Sequence, residues 1–267
     1  MSQTLLHAGP EQKIAPEAPE LIVSNQPPID AYPEEFLGWS LNIGIRDYGK
    51  TLELQRSLIP LRRRGLLRDT LIFVEHPPVV TMGKSTEPSN LSDVPSNIPR
   101  FEIERGGDVT FHGPGQLVCY LIFDLNRRGR DLHLFMRSLE EGIIRTLAEY
   151  GVEAIRVPDL TGVWVETKNG NRKIASIGVA AKTWVSYHGV AVNLSTDFSI
   201  FKTMKPCGLE PNVMTSLEKL TGARISLDEF AEKLTRSYSG VFKTEFCPVT
   251  LAEIGEDFKS DDLSGHV

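Results

Sequence analysis

Residues 105–125 read RGGDVTFHGPGQLVCYLIFDL, and the two halves of this stretch ask for different backbones. The first half sets Gly106, Gly107, Gly113, Pro114 and Gly115 around His112. Glycine takes positive φ without strain and lets another molecule come close to the backbone, while proline fixes φ and gives up its donor. The second half, Leu117 to Leu125, is β-branched, aromatic and aliphatic with no charge before Asp124, as a strand buried on both faces requires. A shaped loop is therefore pinned to a core strand, where a rigid binding surface can be built. A plain hairpin connection would use the glycines, but it needs neither an Arg-Gly-Gly at one end nor a Thr-x-His at the other.

Working outward, Trp39 to Ile45 alternates as a strand, Asp47 is placed as an N-cap, and Tyr48, Leu52, Gln55 and Ile59 follow helical spacing toward Gly65. Leu71 to Glu75 and Val79 to Met82 predict two short strands around His76-Pro77-Pro78, with His76 expected to fix a turn at the rim. The polar segment from Gly83 to Pro99 has the length of many functional loops. Downstream, Leu132 to Tyr150 carries Phe135, Leu139, Ile143 and Leu147 on one helical face and stops at Gly151. Gly162 to Leu194 reads as a meander of GVWVE, KIASIGVAA and KTWVSYHGVAVNL. Thr215-x-x-Glu218 and Ser226-x-x-Glu229 match capping boxes for a short helix ending at Gly222 and a longer one with Phe230, Leu234 and Tyr238 inward. Strands and helices mix without a βαβ repeat, so the expected class is α+β, a single domain with one mixed β-sheet flanked by helices. Residues 1–34, acidic and proline-rich, are expected to form a flexible tail, 35–248 the catalytic domain and 249–267 a C-terminal tail.

The chain has 267 residues, a formal charge of −6 and 40% hydrophobic content. That is enough for a substantial core, and the negative balance argues against a nucleic-acid binder. The basic run Arg62 to Arg64 reads as a solvated helix end. No apolar run approaches the ~20 residues of a membrane span, and the start fits neither a secretory nor a transit peptide, so no membrane partner is expected. Cys119, Cys207 and Cys247 show no CxxC spacing, which suggests neither a disulfide framework nor a metal site and fits a reducing cytoplasm.

Cys207 stands in Met-Lys-Pro-Cys-Gly, between a rigid residue and one that leaves room for a partner, unlike Cys119 inside an apolar run. Its local context leaves a nucleophile and an idle loop cysteine both open. Lys173 opens the strand KIASIGVAA and would be a plain strand start unless it faces Cys207. A thiol of pKa ~8.5 is mostly protonated at neutral pH, and a neighbouring ammonium lowers that value, giving an activated nucleophile with its own proton carrier. His112 and His188 each precede a glycine; each reads either as a core histidine satisfied by a carbonyl or as a group shaping a pocket. His7, His133 and His266 read as superficial.

RGGDVTFHGPGQLVCY, TGVWVE, KIASIGV, HGVAVNL and KPCGLE, in that order between about Leu41 and Phe246, resemble the lipoyl(octanoyl) transferases. The resemblance implies a fold like that of the biotin and lipoate protein ligases. It implies that Cys207 attacks the thioester of octanoyl-acyl carrier protein and holds the acyl group, and that Lys173 lowers the cysteine pKa and helps deprotonate the incoming amine. That amine is the lysine of a lipoyl domain, in a 2-oxoacid dehydrogenase or the glycine-cleavage H protein. Arg105, Gly106, Gly107, Asp108, Val109, Thr110, Phe111 and His112 would line the acyl pocket, joined by Ser176, Ile177, Gly178, Gly189, Val190 and Ala191. No metal and no cofactor is implied, and a cytoplasmic monomer is expected. Arg62 to Arg64, or Arg127, Arg128 and Arg130, are candidate docking patches for the donor. After Gly178 the chain has Val-Ala-Ala where the family more often carries an arginine. The rival readings are an ATP-dependent lipoate or biotin ligase, which does not need Cys207, and a silent acyl or lipoyl-domain binding protein.

Overall fold

The computed structural model describes residues 37–91, 93–204 and 213–256; the expected N-terminal tail lies outside them. β6 (Gln116–Ile122) is the central strand and is buried along its whole length. Leu117, Cys119 and Leu121 face a first core, and Val118, Tyr120 and Ile122 face a second. This is period-2 alternation with both faces covered. The first core lies under α2 (Leu132–Ala148) and α4 (Leu227–Phe242). All seven apolar positions read from their helical periodicity, Phe135, Leu139, Ile143 and Leu147 with Phe230, Leu234 and Tyr238, are buried there. The second core lies under α1 (Tyr48–Arg63), through Leu52, Leu58 and Ile59.

Eight strands form one sheet in the order β11-β1-β2-β6-β10-β9-β8-β7. β1 (Leu37–Ile45) runs parallel to β2 (Asp69–Glu75) and β11 (Glu245–Val249); the other neighbours are antiparallel. The sheet is mixed and flanked by helices, as an α+β chain requires. The meander appears as β8 (Leu160–Val165), β9 (Arg172–Lys182) and β10 (Val185–Asn193), preceded by an edge strand β7 (Ala154–Val157) that the sequence reading did not include. β9 ends at Lys182, and Thr183 and Trp184 both take positive φ, 52° and 64°. That is the two-residue turn whose twist matches the flanking strands.

A second sheet was not expected. β3 (Val79–Met82) pairs with β4 (Arg100–Glu102) and β5 (Thr110–His112). It covers a third core with Val80, Val109, Phe111, Phe198, Phe201 and Met204. Leu91 and Val94 of the polar segment are buried in the same core, so that segment is packed rather than merely connecting.

The caps follow the chemistry of their residues. Asp47, Asp131 and Ser226 accept from the backbone N–H three residues on, at 3.1, 2.9 and 3.1 Å. α3 (Leu217–Thr221) is capped by Ser216 instead of Thr215. Thr215 is held in an extension of the sheet, its N–H donating to the Lys173 carbonyl at 2.9 Å, so the cap falls one residue later. α5 (Leu251–Glu256) buries Ile254 in the second core, so the folded chain continues past the expected boundary at 248.

Two of the candidate docking arginines are structural. Arg62 is buried and its Nε donates to Asp69 at 2.7 Å. Arg128 reaches the other oxygen of Asp69 at 2.6 Å and lies between the rings of Phe123 and Phe242, 5.0 and 5.1 Å from their centroids. A buried carboxylate with two guanidinium partners ties the turn after β6 to the end of α1, so both arginines serve the fold. No helix among the described residues is long and apolar enough to cross a membrane.

Candidate active site

A cavity of about 380 Å³ opens where the second core meets the glycine-rich loop, within the ~300–1,000 Å³ typical of small-ligand sites. Tyr48, Ile103, Val118 and Tyr120 form one wall. The floor comes from β9 and β10, where Ser176 is paired with Ala191 and Gly178 with Gly189. Small residues here bring backbone to the cavity surface. A Cβ on Gly178 would lie 2.6 Å from Arg105 Cδ, and one on Gly189 would collide with the Cys119 carbonyl of the neighbouring strand.

Arg105 to Thr110 close the cavity from above. The Arg105 guanidinium is buried and donates to both the carbonyl and the hydroxyl of Thr81 at 3.0 Å, and to the Gly106 carbonyl at 3.1 Å. It is thus fixed across the loop. Arg105, Gly106, Gly107, Asp108, Val109, Thr110, His112, Ser176, Ile177, Gly178, Gly189, Val190 and Ala191, which the resemblance assigns to an acyl pocket, are all placed around this cavity. Phe111 is not. It alternates away from Thr110 and His112 on β5 and packs edge-on against Phe201 in the third core, centroids 5.5 Å apart.

Lys173 reaches this cavity through a bulge. Val163 pairs with Ala175 and the next residue, Trp164, with Lys173, so Ile174 is one residue too many on β9. Ile174 and Ala175 both pack in the first core, as do Ile177 and Val179 further along. Plain alternation would send Lys173 into that core with Ala175, Ile177 and Val179. The bulge turns it instead onto the cavity beside Trp164, with its ammonium 5.3 Å from the indole centroid. Gly162, at φ 123°, makes room for it, since a Cβ there would lie 2.6 Å from Lys173 Cε.

Cys207 lies outside the described residues. The segments on both sides of it reach the cavity, where Phe201 and Met214 form part of the lining. Met214 is bridged to Lys173, and the Thr215 carbonyl accepts from Asn193 Nδ2 at 3.1 Å. Asn193 in turn accepts from Gln116 at 2.9 Å, and Gln116 accepts from His112 at 2.7 Å. One polar network therefore runs from the His-Gly-Pro-Gly loop to the backbone beside Lys173.

Burial holds the three histidines around this cavity and its inner wall, His76, His112 and His188, toward the neutral form. Burial, then the neighbouring His76, depresses His112 to about 3, and burial with the nearby Arg105 depresses His188 to about 4. The Gln116 amide donates to Asn193, so its oxygen receives the His112 Nδ1 proton. His76 is not at a rim but fully buried, and burial lowers its pKa. Its Nδ1 donates to the Arg46 carbonyl at 2.7 Å, leaving Nε2 to accept from the Tyr120 hydroxyl at 2.8 Å. His188 takes φ 60° within β10, its N–H held by Gln55 at 2.8 Å, and its ring nitrogens make no hydrogen bond among the described residues. Tyr48, Met136, Asp159, Thr161, Trp164 and Met214 also line the cavity and were not singled out from sequence. Thr161 and Trp164 sit in the TGVWVE motif; the others are brought in by tertiary packing with no local signal. No group of three or more His, Cys, Asp or Glu among the described residues is placed to hold a metal ion.

Residues 47–239 match the lipoyl protein ligase A/B catalytic domain. An octanoyltransferase of Solibacter usitatus is 47% identical over 211 residues, covering 77% of this chain and 93% of that protein. One from Thermoanaerobacter sp. is 39% identical over 219 residues, covering 80% and 94%. The chain belongs to the octanoyltransferase family. As in other octanoyltransferases, its activity is octanoyl transfer in protein lipoylation. Its fold is that of lipoate-protein ligases. A crystal structure of lipoate-protein ligase A bound with ATP superimposes with TM-score 0.66 at 17% identity, over 82% of this chain and 91% of that one. A putative lipoate protein ligase from T. acidophilum with bound lipoic acid gives 0.65 at 17% identity, over 82% and 92%.

Proposed function

We propose that the octanoyl group is taken from octanoyl-acyl carrier protein onto Cys207 and passed from there to the target lysine of lipoyl domains, with no cofactor. The supporting observation is the β-bulge that directs Lys173 into a cavity floored by glycine and alanine. A strand lysine in a core would be neutralised or expelled; here the local irregularity gives it a site. Met204, which precedes the Lys-Pro-Cys-Gly motif, is buried in the third core with Phe201 and Met214.

In the first half-reaction Lys173 takes the thiol proton of Cys207. The thiolate adds to the donor carbonyl, the bond to the carrier sulfur breaks, and the ammonium of Lys173 returns the proton to the leaving thiolate. In the second, the acceptor lysine gives one proton of its ammonium to the neutral amine of Lys173, which releases it to solvent, and its own amine adds to the acyl carbon. The carbon–sulfur bond breaks, and the second proton goes to the Cys207 thiolate. Exchange of thioester for thioester is nearly balanced and amide formation is downhill, so no ATP is required. Val109, Val190 and Ala191 supply apolar surface for the chain, and His112 and His188, held neutral by burial, add no charge to the wall.

The test is intact mass after mixing the full chain with octanoyl-acyl carrier protein, beside Cys207→Ala. The expected result is a hydroxylamine-labile octanoyl adduct on the natural sequence and none on the variant, formed without ATP. A folded protein that binds octanoate, forms no adduct and acts only with ATP would replace this reading with that of a ligase.

A further inference from the structure

The hairpin of β7 and β8 stands over Lys173, and its construction is more elaborate than an edge hairpin needs. Val157 pairs with Leu160, leaving Pro158 and Asp159 as the turn. Asp159 takes φ 62°, is exposed, and lines the cavity together with Lys173. From α2 the fully buried carboxylate of Glu140 holds both arms of the hairpin, accepting from the Gly162 N–H at 3.1 Å and from Arg156 Nε at 3.1 Å, with Arg137 at 2.7 Å completing its shell. Gly162 in turn lies directly against the Lys173 stem. Glu140 is thus a positioning residue that fixes the turn relative to the lysine.

Among the described residues the cavity lining contains two carboxylates, and they differ in kind. Asp108 is buried and accepts from Asn90 at 2.7 Å and from the Val109 N–H at 2.6 Å. Asp159 faces solvent from the tip of a rigid turn. We propose that Asp159 receives the ammonium of the acceptor lysine at the mouth of the cavity, making the β7–β8 turn the acceptor subsite. This rests on the two-step reading above. The acceptor arrives as a cation and must bring its ammonium to the neutral amine that Lys173 carries once it has protonated the carrier thiolate. A carboxylate on the rim attracts that cation along the approach path. An exposed ion pair strengthens encounter and binding and contributes little to the barrier of acyl transfer, so its signature belongs in KM for the acceptor.

The two half-reactions are read separately on the full chain: loading from octanoyl-acyl carrier protein by intact mass, then chase with an unmodified lipoyl domain. Asp159→Asn is expected to raise the acceptor KM about two- to fivefold, with kcat of the chase little changed. Asp159→Lys should raise it further, and Asp159→Gly, which suits the left-handed backbone, should match the Asn variant. The difference in KM should shrink at ~1 M salt, where the screening length is only ~3 Å. Loading is expected to persist in all three variants. An unchanged acceptor KM in both the Asn and Lys variants overturns the proposal, as does a parallel loss of loading, which would mean that Asp159 acts through Lys173. If the natural sequence itself fails to load, the acyl-cysteine reading fails and the acceptor subsite falls with it.

Discussion

A methyl group on Gly178 would press against the side chain of Arg105, at 2.6 Å from Cδ. Arg105 cannot swing aside cheaply, because its guanidinium is held by the carbonyl and hydroxyl of Thr81 and by Gly106. Gly178→Ala is therefore expected to cost about 1–3 kcal/mol through overpacking and to slow loading of the acyl group, since the loop over the cavity must lift. Urea unfolding and the intact-mass time course check the two effects; a variant with unaltered stability and loading would show that the loop adjusts freely. The loop glycines were legible in the sequence because a Gly-rich stretch announces close backbone approach, whereas Gly178 was reached only through the resemblance carried by KIASIGV. Phe111 was misread for a reason that lies in the strand itself. Thr110, Phe111 and His112 alternate on β5, so a stretch that lines the cavity as a block must send its middle side chain the other way. Nothing in the sequence near Tyr48 or Met136 signals the cavity, because helices bring those side chains to it from elsewhere in the chain.

At the scale of elements, the deciding irregularity is the bulge at Ile174, and sequence patterning alone does not disclose it. Lys-Ile-Ala-Ser-Ile-Gly-Val reads as an ordinary apolar run, and the extra residue appears only when β8 is paired against β9. Strands and amphipathic helices, by contrast, were read from periodicity and from caps whose hydrogen bonds are purely local. The hairpin opposite the bulge depends on a contact far from it in sequence, the Glu140 carboxylate. Glu140→Ala leaves the Gly162 N–H without its partner and strips Arg156 of one of its carboxylates. The expected cost is about 3–5 kcal/mol, as for other broken buried ion pairs. Activity should fall further than the folded fraction explains, because the turn carrying Asp159 and the glycine beside Lys173 lose their common anchor. Thermal unfolding beside turnover on fully folded protein separates the two contributions; turnover equal to that of the natural sequence would show that the hairpin holds its place without Glu140.

On the scale of the whole molecule, two cores on opposite faces of the sheet make it rigid, and a polar cluster at the edge of the second makes it acid-sensitive. His112 and His188 have folded pKa values near 3 and 4, below the ordinary value of 6.5, chiefly because burial disfavours the imidazolium. His76 is shifted in the same direction for the same reason. For a histidine depressed in the folded state, its contribution is complete above the unfolded pKa. As pH falls below ~6.5 the unfolded chain binds a proton that the folded chain refuses, and stability declines until the folded pKa is reached. His112 and His188 each remove roughly 1.4 kcal/mol per pH unit in that window, or about 2 kcal/mol between pH 7 and pH 5. Glu104, 3.7 Å from His188, opposes the shift, but burial and Arg105 outweigh it. The same neutrality that keeps charge off the acyl pocket at pH 7 thus makes the protein fragile in acid. His188→Asn is the informative variant, because asparagine tolerates the left-handed backbone at φ 60° and does not titrate. Urea midpoints at pH 7, 6 and 5 should fall steeply for the natural sequence and less steeply for the variant, by about 1.4 kcal/mol per pH unit. Parallel curves would mean that His188 is protonated in the folded protein over that range, and that the inner wall of the cavity carries a charge which an acyl chain would have to meet.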